Sequence, residues 1–334
     1  MTLSFVALGL DHRHIFGMTE NMQRTGARCL GFWTEGQPQP LDGFLKRFPE
    51  LHRFDSLDAA LGAGADLALV SCIPGDRAAI AIRAMQSGHD VMTDKPGCTS
   101  LDQLARIKAA VAETGRIWSI NFSERFEVPS VTMADQLVQE GAIGRVVHTT
   151  GLGPHRLNRP TRPNWFFDRE RYGGVLTDIA SHQIDQFLHF TGSDRAMVTM
   201  AHVANHANPD VPGLQDFGEI ALRSDHASGY VRVDWYTPDA LPNWGDGRLT
   251  LLGTQGYIEL RKYVDVGGRA GTDHLVLVNE TRCEKIDARD AGLPYFDRLA
   301  HDIAHRTETA MSQDHCFAVM ELALTAQAMA EDRA

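Results

Sequence analysis

The first 120 residues alternate between short apolar runs and longer amphipathic runs, which limits the possible folds more than any other feature. The apolar runs have the length of strands: LSFVALGL (3–10), RCLGFW (28–33), ADLALVSCI (65–73), HDVMT (89–93) and RIWSI (116–120). Helical patterns separate them, at about 14–25, 41–48, 56–63, 76–87 and 100–114. This alternation predicts a doubly wound parallel sheet with helices on both faces. The nearly continuous apolar run ADLALVSCI is typical of a strand buried on both faces.

The regular alternation of strand and helix patterns ends after Asn121. Helical patterns continue at about 129–140, 174–191, 294–305 and 313–331. Strand patterns joined mostly by short links lie among them: RVVHTTGL, RAMVTMAHV, DFGEIALRS, ASGYVRVDWY, GRLTLLG, GYIELRK and HLVLV. Successive strands with short links favour antiparallel pairing. We therefore expect an α/β chain with a Rossmann domain over 1–122. An α+β domain with an open, mostly antiparallel sheet follows over 123–334, and its terminal helix is placed to pack back on the first domain.

Composition and charge exclude several classes of partner. The net charge of −11 argues against nucleic acid and anionic membrane, since both require a basic face. The five cysteines include no CxxC pair, so we expect no metal site, no disulfides and a cytoplasmic location. The amino-terminal residues MTLSFVALGL do not have the pattern of a signal peptide, and no apolar run approaches the roughly 18 residues of a membrane span.

The turn after the first strand is a degenerate form of a dinucleotide-binding turn. A GxGxxG sequence is normal there, but this chain has GLDHRH, with Gly9 in the first position and Asp11 and His14 where glycines are expected. The turn nevertheless follows a strand and opens a helix, and we predict that Gly9, Asp11 and His12 contact a nicotinamide cofactor. Glu35 ends the second strand, where an acid binds the adenosine ribose. The alternative is that Glu35 is a surface turn residue.

Two further segments end strands at the same predicted edge of the sheet. Ile73 and Pro74 follow the third strand, and DKP (residues 94–96) follows the fourth. Ligands of open α/β sheets bind outside the carboxyl ends of the strands, so these residues are candidates for cofactor contacts. No arginine closely follows Glu35 in the sequence to receive a 2′-phosphate, which favours NAD over NADP without excluding NADP.

A second group of polar residues lies in GGVLTDIASHQIDQFLHFTG, residues 173–192. On a continuous α-helix, Asp178, His182, Asp185 and His189 fall within a sector of roughly 60°. Asp178 and His182 are then one turn apart, so the carboxylate can orient the imidazole. Such a pair is most often solvated surface. The preceding glycine pair and the aromatic loop WFFDRERYGG favour a pocket instead.

These motifs resemble the Gfo/Idh/MocA family, named after glucose–fructose oxidoreductase and inositol dehydrogenase. The resemblance rests on IPGD, DKPGCTS, NFSERF and GGVLTDIASHQID, in that order, over essentially the whole chain. The pairing of [DE]KP with GGxxxDxxxHxxD some 80 residues later is its specific part. The chain departs from the family in Asp94, where glutamate is usual, and in the missing second and third glycines.

The resemblance implies roles for individual residues. Lys95 contacts substrate and nicotinamide, and Pro96 shapes the nicotinamide site, often through a cis peptide. Asp178 and His182 face the reacting hydroxyl, with His182 as proton acceptor and Asp178 holding its tautomer. The alternative for Lys95 is an ordinary lysine at a strand end. Further expected contacts are Asn121 with the cofactor, and His155, Arg156, Trp165 and Asp185 with the substrate.

The sequence thus predicts an NAD(P)-dependent oxidoreductase acting on a sugar, a sugar derivative or a cyclitol. Two alternatives remain open: an NAD-dependent glycoside hydrolase with no net redox change, and a non-catalytic nucleotide or sugar sensor. The alternating strands GYVRVDWY and RLTLLG leave one face of the second sheet partly apolar. We therefore expect a homodimer or homotetramer formed through that sheet.

Overall fold

The computed structural model describes residues 2–332. The strands are β1 Ser4–Leu8, β2 Arg28–Trp33, β3 Leu67–Val70, β4 Asp90–Asp94, β5 Trp118–Asn121, β6 Val146–Pro154, β7 Met197–Ala204, β8 Phe217–Arg223, β9 Ser228–Asp234, β10 Arg248–Gly253, β11 Gly256–Arg261, β12 His274–Asn279 and β13 Cys283–Asp287. The α-helices are α1 His14–Arg24, α2 Leu41–Arg47, α3 Leu57–Leu61, α4 Pro74–Gln86, α5 Leu101–Thr114, α6 Ser123–Phe126, α7 Pro129–Gln139, α8 Arg169–Tyr172, α9 Ser181–Thr191, α10 Pro294–His305 and α11 Gln313–Glu331.

The chain forms two compact units. The first contains the residues up to Asn121 together with Pro163–Gly173 and Pro294–Met320. The second contains Phe122–Arg162, Gly174–Leu293 and the residues from Glu321 onward. The first boundary between the two units thus lies between residues 121 and 122. Two later segments of the chain also belong to the first unit.

The first unit is built on a five-stranded parallel sheet with the strand order β2-β1-β3-β4-β5. Strand β3 is fully buried, because helices cover both faces of a parallel sheet. The helix ends carry ordinary signals: the Ser100 side chain caps α5, and Gly115 ends it in a left-handed conformation. The predicted doubly wound architecture is confirmed.

Two later segments of the chain pack within this first unit. The Tyr295 hydroxyl hydrogen-bonds Ser119 at 2.6 Å, and the Gln313 side chain bonds both the N–H and the C=O of Trp118 at 2.9 Å. Trp118 also stacks on Phe317, with ring centroids 5.9 Å apart. These contacts cover β5, the edge strand of the sheet.

The second unit contains an eight-stranded sheet in the order β13-β12-β11-β10-β6-β9-β8-β7. Its neighbouring strands are antiparallel except β6 and β9, which are parallel. The predicted open, mostly antiparallel sheet is confirmed. One face packs on α7 through a core that includes Val131, Leu249, Ile258 and Leu275, so this face is the hydrophobic interior of the unit.

The helix predicted over 174–191 is not a uniform α-helix. Leu176–Ala180 forms a π-helical turn, and the regular α-helix α9 begins at Ser181. A π-turn adds a residue to the local repeat, so the 100° spacing assumed for Asp178 and His182 does not apply across it. The single polar sector predicted for this segment is therefore wrong in its amino-terminal part.

All five cysteines are free thiols, and three of them are buried. Within residues 2–332, no helix combines the length and the apolar character needed to cross a lipid bilayer.

Candidate functional site

The turn between β1 and α1 depends on Gly9. Its φ of +77° is in the left-handed region, and a Cβ atom at this position would overlap the backbone and side chain of Cys72. The Gly9 N–H donates to the Trp33 carbonyl at 2.8 Å, and the His12 N–H donates to the Ser71 carbonyl at 3.2 Å. The first glycine of the turn is therefore required, although the later glycines are absent.

Two histidines of this turn converge on Asp94, and one of them, His14, occupies the position of the third glycine. The Nδ1 atoms of His12 and His14 each lie 2.8 Å from one of the two Asp94 oxygens, and the two rings meet edge to face. The Ser71 hydroxyl lies 3.2 Å from the same carboxylate. Asp94 is fully buried, whereas both imidazoles are about a quarter exposed. Asp94 thus fixes the orientation of both histidines.

Buried Arg77 also binds the Asp94 carboxylate. Its guanidinium lies 3.1 Å from the carboxylate and donates to the carbonyls of Cys72 and Pro96. The Lys95–Pro96 peptide is cis, and Lys95 is 5% exposed. Two histidines and a carboxylate are a set of side chains that can coordinate a metal ion. A cation here would meet the fixed positive charge of Arg77, so the arrangement suits a hydrogen-bonded anchor better.

Burial shifts the protonation equilibria of this turn. It raises the pKa of Asp11 to about 6, supported by the nearby Asp76 carboxylate and opposed by Arg77. Burial also lowers the pKa of His12, against the opposing effect of Asp94. Burial alone would raise the pKa of Asp94, but His14, Arg77 and His12 hold it well below its usual range. A neutral His12 imidazole that donates its Nδ1–H to an ionised Asp94 is consistent with these directions.

The predicted cofactor residues lie at the carboxyl ends of the five parallel strands: Gly9, Asp11 and His12 after β1, Glu35 after β2, Ile73 and Pro74 after β3, Asp94, Lys95 and Pro96 at β4, and Asn121 at β5. Glu35 is exposed, whereas the neighbouring Thr34 is buried and its hydroxyl accepts the Leu10 N–H at 3.2 Å. The Gly9 turn leads into α1, which begins at His14. Open α/β sheets bind their ligands at this edge, so these residues are candidates to hold a dinucleotide.

In the second unit, Gly174 begins the segment that carries Asp178 and His182. Its φ is +88°, and a Cβ atom there would overlap the Gln327 side chain. Gln327 accepts the Leu176 N–H at 3.0 Å, which holds the start of the π-turn. A side chain of the same unit therefore packs closely against the backbone at Gly174.

His182 and Asp178 are both buried, at 1% and 8% exposure. The His182 ring meets Phe122 edge-on, with centroids 6.2 Å apart. The next polar residue of this helix has a different environment. Asp185 is fully buried and receives two hydrogen bonds, of 2.6 and 2.7 Å, from Arg125. This bidentate pair anchors α9 to α6, a role that the sequence pattern did not indicate.

The last polar residue of the predicted sector, His189, forms a hydrogen bond with Asp135. Its Nε2 atom lies 2.8 Å from the Asp135 carboxylate, and Arg125 contacts its Nδ1 at 3.4 Å. Burial and the adjacent Arg125 lower the pKa of His189. His189 therefore belongs to a structural network that joins α9 to α7.

A buried ion pair that contacts α9 was not predicted from the sequence. The Lys262 ammonium lies 2.7 Å from Glu124 and 2.9 Å from Gln186, and Gln183 donates to the same Glu124 oxygen at 3.0 Å. Burial would raise the pKa of Glu124, but Lys262 and His182 lower it to about 2. The pair joins residues 138 positions apart. No local pattern could have indicated it.

Two family models match the chain. The model described as an oxidoreductase family with an NAD-binding Rossmann fold matches residues 19–122, and the GFO/IDH/MocA C-terminal domain matches residues 131–259. A solved structure from Erwinia carotovora atroseptica SCRI1043, a candidate oxidoreductase, is 42% identical and superposes with a TM-score of 0.95. The alignment covers 98% of this chain and 99% of that one. The chain belongs to the Gfo/Idh/MocA family.

Curated members of the Gfo/Idh/MocA family match in part. Levoglucosan dehydrogenase of Pseudarthrobacter phenanthrenivorans is 30% identical over 36% of this chain and 31% of its own length. The scyllo-inositol 2-dehydrogenase (NAD(+)) of Bacillus subtilis is 24% identical over 53% of this chain and 49% of its own length. The chain thus spans less than half the length of these two relatives.

Three of the predicted substrate residues, His155, Arg156 and Trp165, each have contacts of their own. The His155 ring packs on Trp244, with centroids 4.6 Å apart, and its Nδ1 lies 3.0 Å from the Gly153 carbonyl. The Arg156 guanidinium donates to the carbonyls of Pro238 and Leu241, so it fixes the loop after β9. Trp165 lies in a short 3-10 turn of the first unit and packs on Phe166.

Proposed function

We propose that this protein is an NAD(P)-dependent oxidoreductase acting on the hydroxyl or carbonyl carbon of a sugar, a sugar derivative or a cyclitol. The observation that carries the proposal is the burial of the [DE]KP lysine in the first unit and of the Asp–His pair in the second. Lys95, Asp178 and His182 are each less than a tenth exposed. Ionisable side chains are rarely buried to this extent unless the fold uses them.

The chemical roles follow from the reaction. Removing hydride from an alcohol carbon requires that the hydroxyl proton goes to a base, and a histidine suits this task near neutral pH. We assign His182 as that base and Asp178 as the carboxylate that favours its imidazolium form. Lys95 is assigned to hydrogen-bond the substrate oxygen and favour its alkoxide-like state.

The cofactor assignment rests on the first unit. The amides at the start of α1 would hold the pyrophosphate, the Gly9 turn would allow its close approach, and Glu35 would bind the ribose hydroxyls. When bound, the nicotinamide accepts or delivers the hydride. Lys95, the cis Pro96 and Asn121 end the neighbouring strands and are assigned to the nicotinamide end of the site.

The substrate class is inferred from the relatives. Two of them are named for levoglucosan and scyllo-inositol, a sugar derivative and a cyclitol. Aromatic rings pack against the apolar faces of such rings, and the part-exposed Trp165 offers one. His155 and Asp185 remain candidate substrate contacts, and Arg156 is a weaker one because its guanidinium already binds carbonyls.

We also propose a homo-oligomer formed through the second sheet. Strands β8, β9 and β10 alternate buried residues with half-exposed ones, so the face opposite the core is open to contact. Exposed Leu252 and Tyr257 add apolar area to the second sheet. Light scattering coupled to size exclusion would test this. We also propose a cytoplasmic location, because the five cysteines of the sequence include no CxxC pair.

Titration with NADH and NADPH, followed by nicotinamide fluorescence, tests the cofactor before any substrate is known. Sugars and cyclitols are then screened for NAD(P)H formation. His182→Asn should lower kcat by about 10²–10⁴-fold, because it removes the proton acceptor. His305→Asn, at the exposed end of α10, is the matched control and should retain activity. Substrate cleavage without NAD(P)H accumulation would contradict net oxidation.

A further inference from the structure

An arginine distant in sequence lies at the carboxyl end of β2. The Arg53 guanidinium donates to the Thr34 carbonyl at 3.3 Å and to the Gly36 carbonyl at 2.9 Å. These two carbonyls flank Glu35, the residue assigned to the adenosine ribose. No arginine closely follows β2 in the sequence, and Arg53 follows Thr34 by 19 residues.

Backbone pairing brings Arg53 to this position. The Phe32 N–H donates to the His52 carbonyl, and the Phe54 N–H donates to the Phe32 carbonyl, both at 2.8 Å. The segment therefore pairs with the outer edge of β2 like a short additional strand. Gly31 permits this approach, because a Cβ atom there would overlap the His52 carbonyl. The arginine is thus held by the fold.

The charge of Arg53 is not neutralised within the fold. Among residues 2–332, its guanidinium forms no ion pair, and neither does the exposed carboxylate of Glu35. Both of these hydrogen bonds use one terminal nitrogen, Nη2, whereas a guanidinium carries five N–H donors. The side chain is half-buried, which limits its motion while leaving it accessible. A positioned, partly exposed guanidinium without a carboxylate is a suitable receptor for a phosphate.

We propose that Arg53 receives the 2′-phosphate of NADP(H), so that the site accepts this cofactor as well as NAD(H). The inference rests on the proposed function, which places the adenosine ribose at the end of β2. Glu35 suits the 2′-hydroxyl of NAD and, being exposed, can turn into solvent when a phosphate binds. Arg53 supplies the opposite charge from the neighbouring segment.

Paired titrations with NADPH and NADH test the inference without any substrate. Arg53→Met should weaken NADPH binding about tenfold to a hundredfold, because a charge-assisted hydrogen bond is lost. NADH binding should change less than about twofold, and Arg53→Lys should recover part of the NADPH affinity. Arg28→Met, an exposed arginine at the amino end of β2, is the matched control and should change neither affinity.

Two further measurements do not depend on the folding of the Arg53 variants. Glu35→Gln should tighten NADPH binding several-fold, because it removes a like charge beside the phosphate. In calorimetry, wild-type protein should bind adenosine 2′-phosphate more tightly than adenosine.

Equal loss of both dinucleotides in Arg53→Met, or a wild type that binds NADH alone, would overturn the inference and leave the proposed function intact. A wild type that binds neither dinucleotide would overturn both.

Discussion

Replacement of Asp11 by asparagine should stabilise the protein at neutral pH. Burial raises the pKa of Asp11 from 3.8 to about 6. At about 1.4 kcal/mol for each pH unit, ionised Asp11 costs the fold up to about 3 kcal/mol above pH 6. Because the side chain is partly exposed, solvent screening reduces this to about 1–2 kcal/mol. Asparagine resembles the protonated acid and can still accept the hydrogen bond from the Ile73 backbone.

The sign of the pH dependence distinguishes this cause from others. Below about pH 4 the Asp11 carboxyl is protonated in both the folded and the unfolded protein, so its raised pKa does not change the free energy of unfolding. Above about pH 6 the carboxyl is ionised in both, and the full destabilisation is present. The gain of Asp11→Asn, measured by urea unfolding from pH 4.5 to 7.5, should therefore grow with pH and then level off. Asp225→Asn, on the exposed turn between β8 and β9, is the control. A pH-independent gain, or none, would refute the reasoning.

Two other substitutions probe the fold around the site. Lys262→Met should destabilise the protein by about 3–5 kcal/mol in urea unfolding, because it leaves Glu124 charged and buried; adding Glu124→Gln should recover most of the loss. Destabilisation in the double variant equal to that in the single one would contradict this account. Gly9→Ala should weaken NADH binding at least about tenfold in fluorescence titration and lower the Tm, because its φ is positive and its Cβ would overlap Cys72. Unchanged NADH binding would show that the Gly9 turn does not contact the cofactor.

The parallel sheet could be predicted from sequence because its signals are local. Strand β3 is one apolar run, Ser100 and Gly115 mark the ends of α5, and the residues that end the strands meet at one edge by topology alone. Arg77 and Arg53 could not be assigned in this way. Each acts on backbone carbonyls brought close only by the folded chain, and carbonyls have no sequence signature.

The second unit shows where periodicity fails. The spacing of Asp178, His182 and Asp185 indicated one polar face, but the π-turn interrupts the α-helical repeat. Asp185 instead pairs with Arg125, 60 residues away in the chain. A buried charge requires a partner, yet the partner is selected by tertiary packing and has no fixed sequence offset. Polar residues on a predicted helix therefore indicate burial or function without distinguishing the two.

The two departures of this chain from its family are physically linked. A histidine in place of the third glycine puts an imidazole beside a buried strand end, where it needs a hydrogen-bond acceptor. Asp94 supplies one oxygen to His14 and the other to His12, each at 2.8 Å. A glutamate here would extend its carboxylate by one methylene and would have to shift to keep both contacts. Asp94 and the histidines of the turn thus form one unit, and the shorter acid matches the bulkier turn.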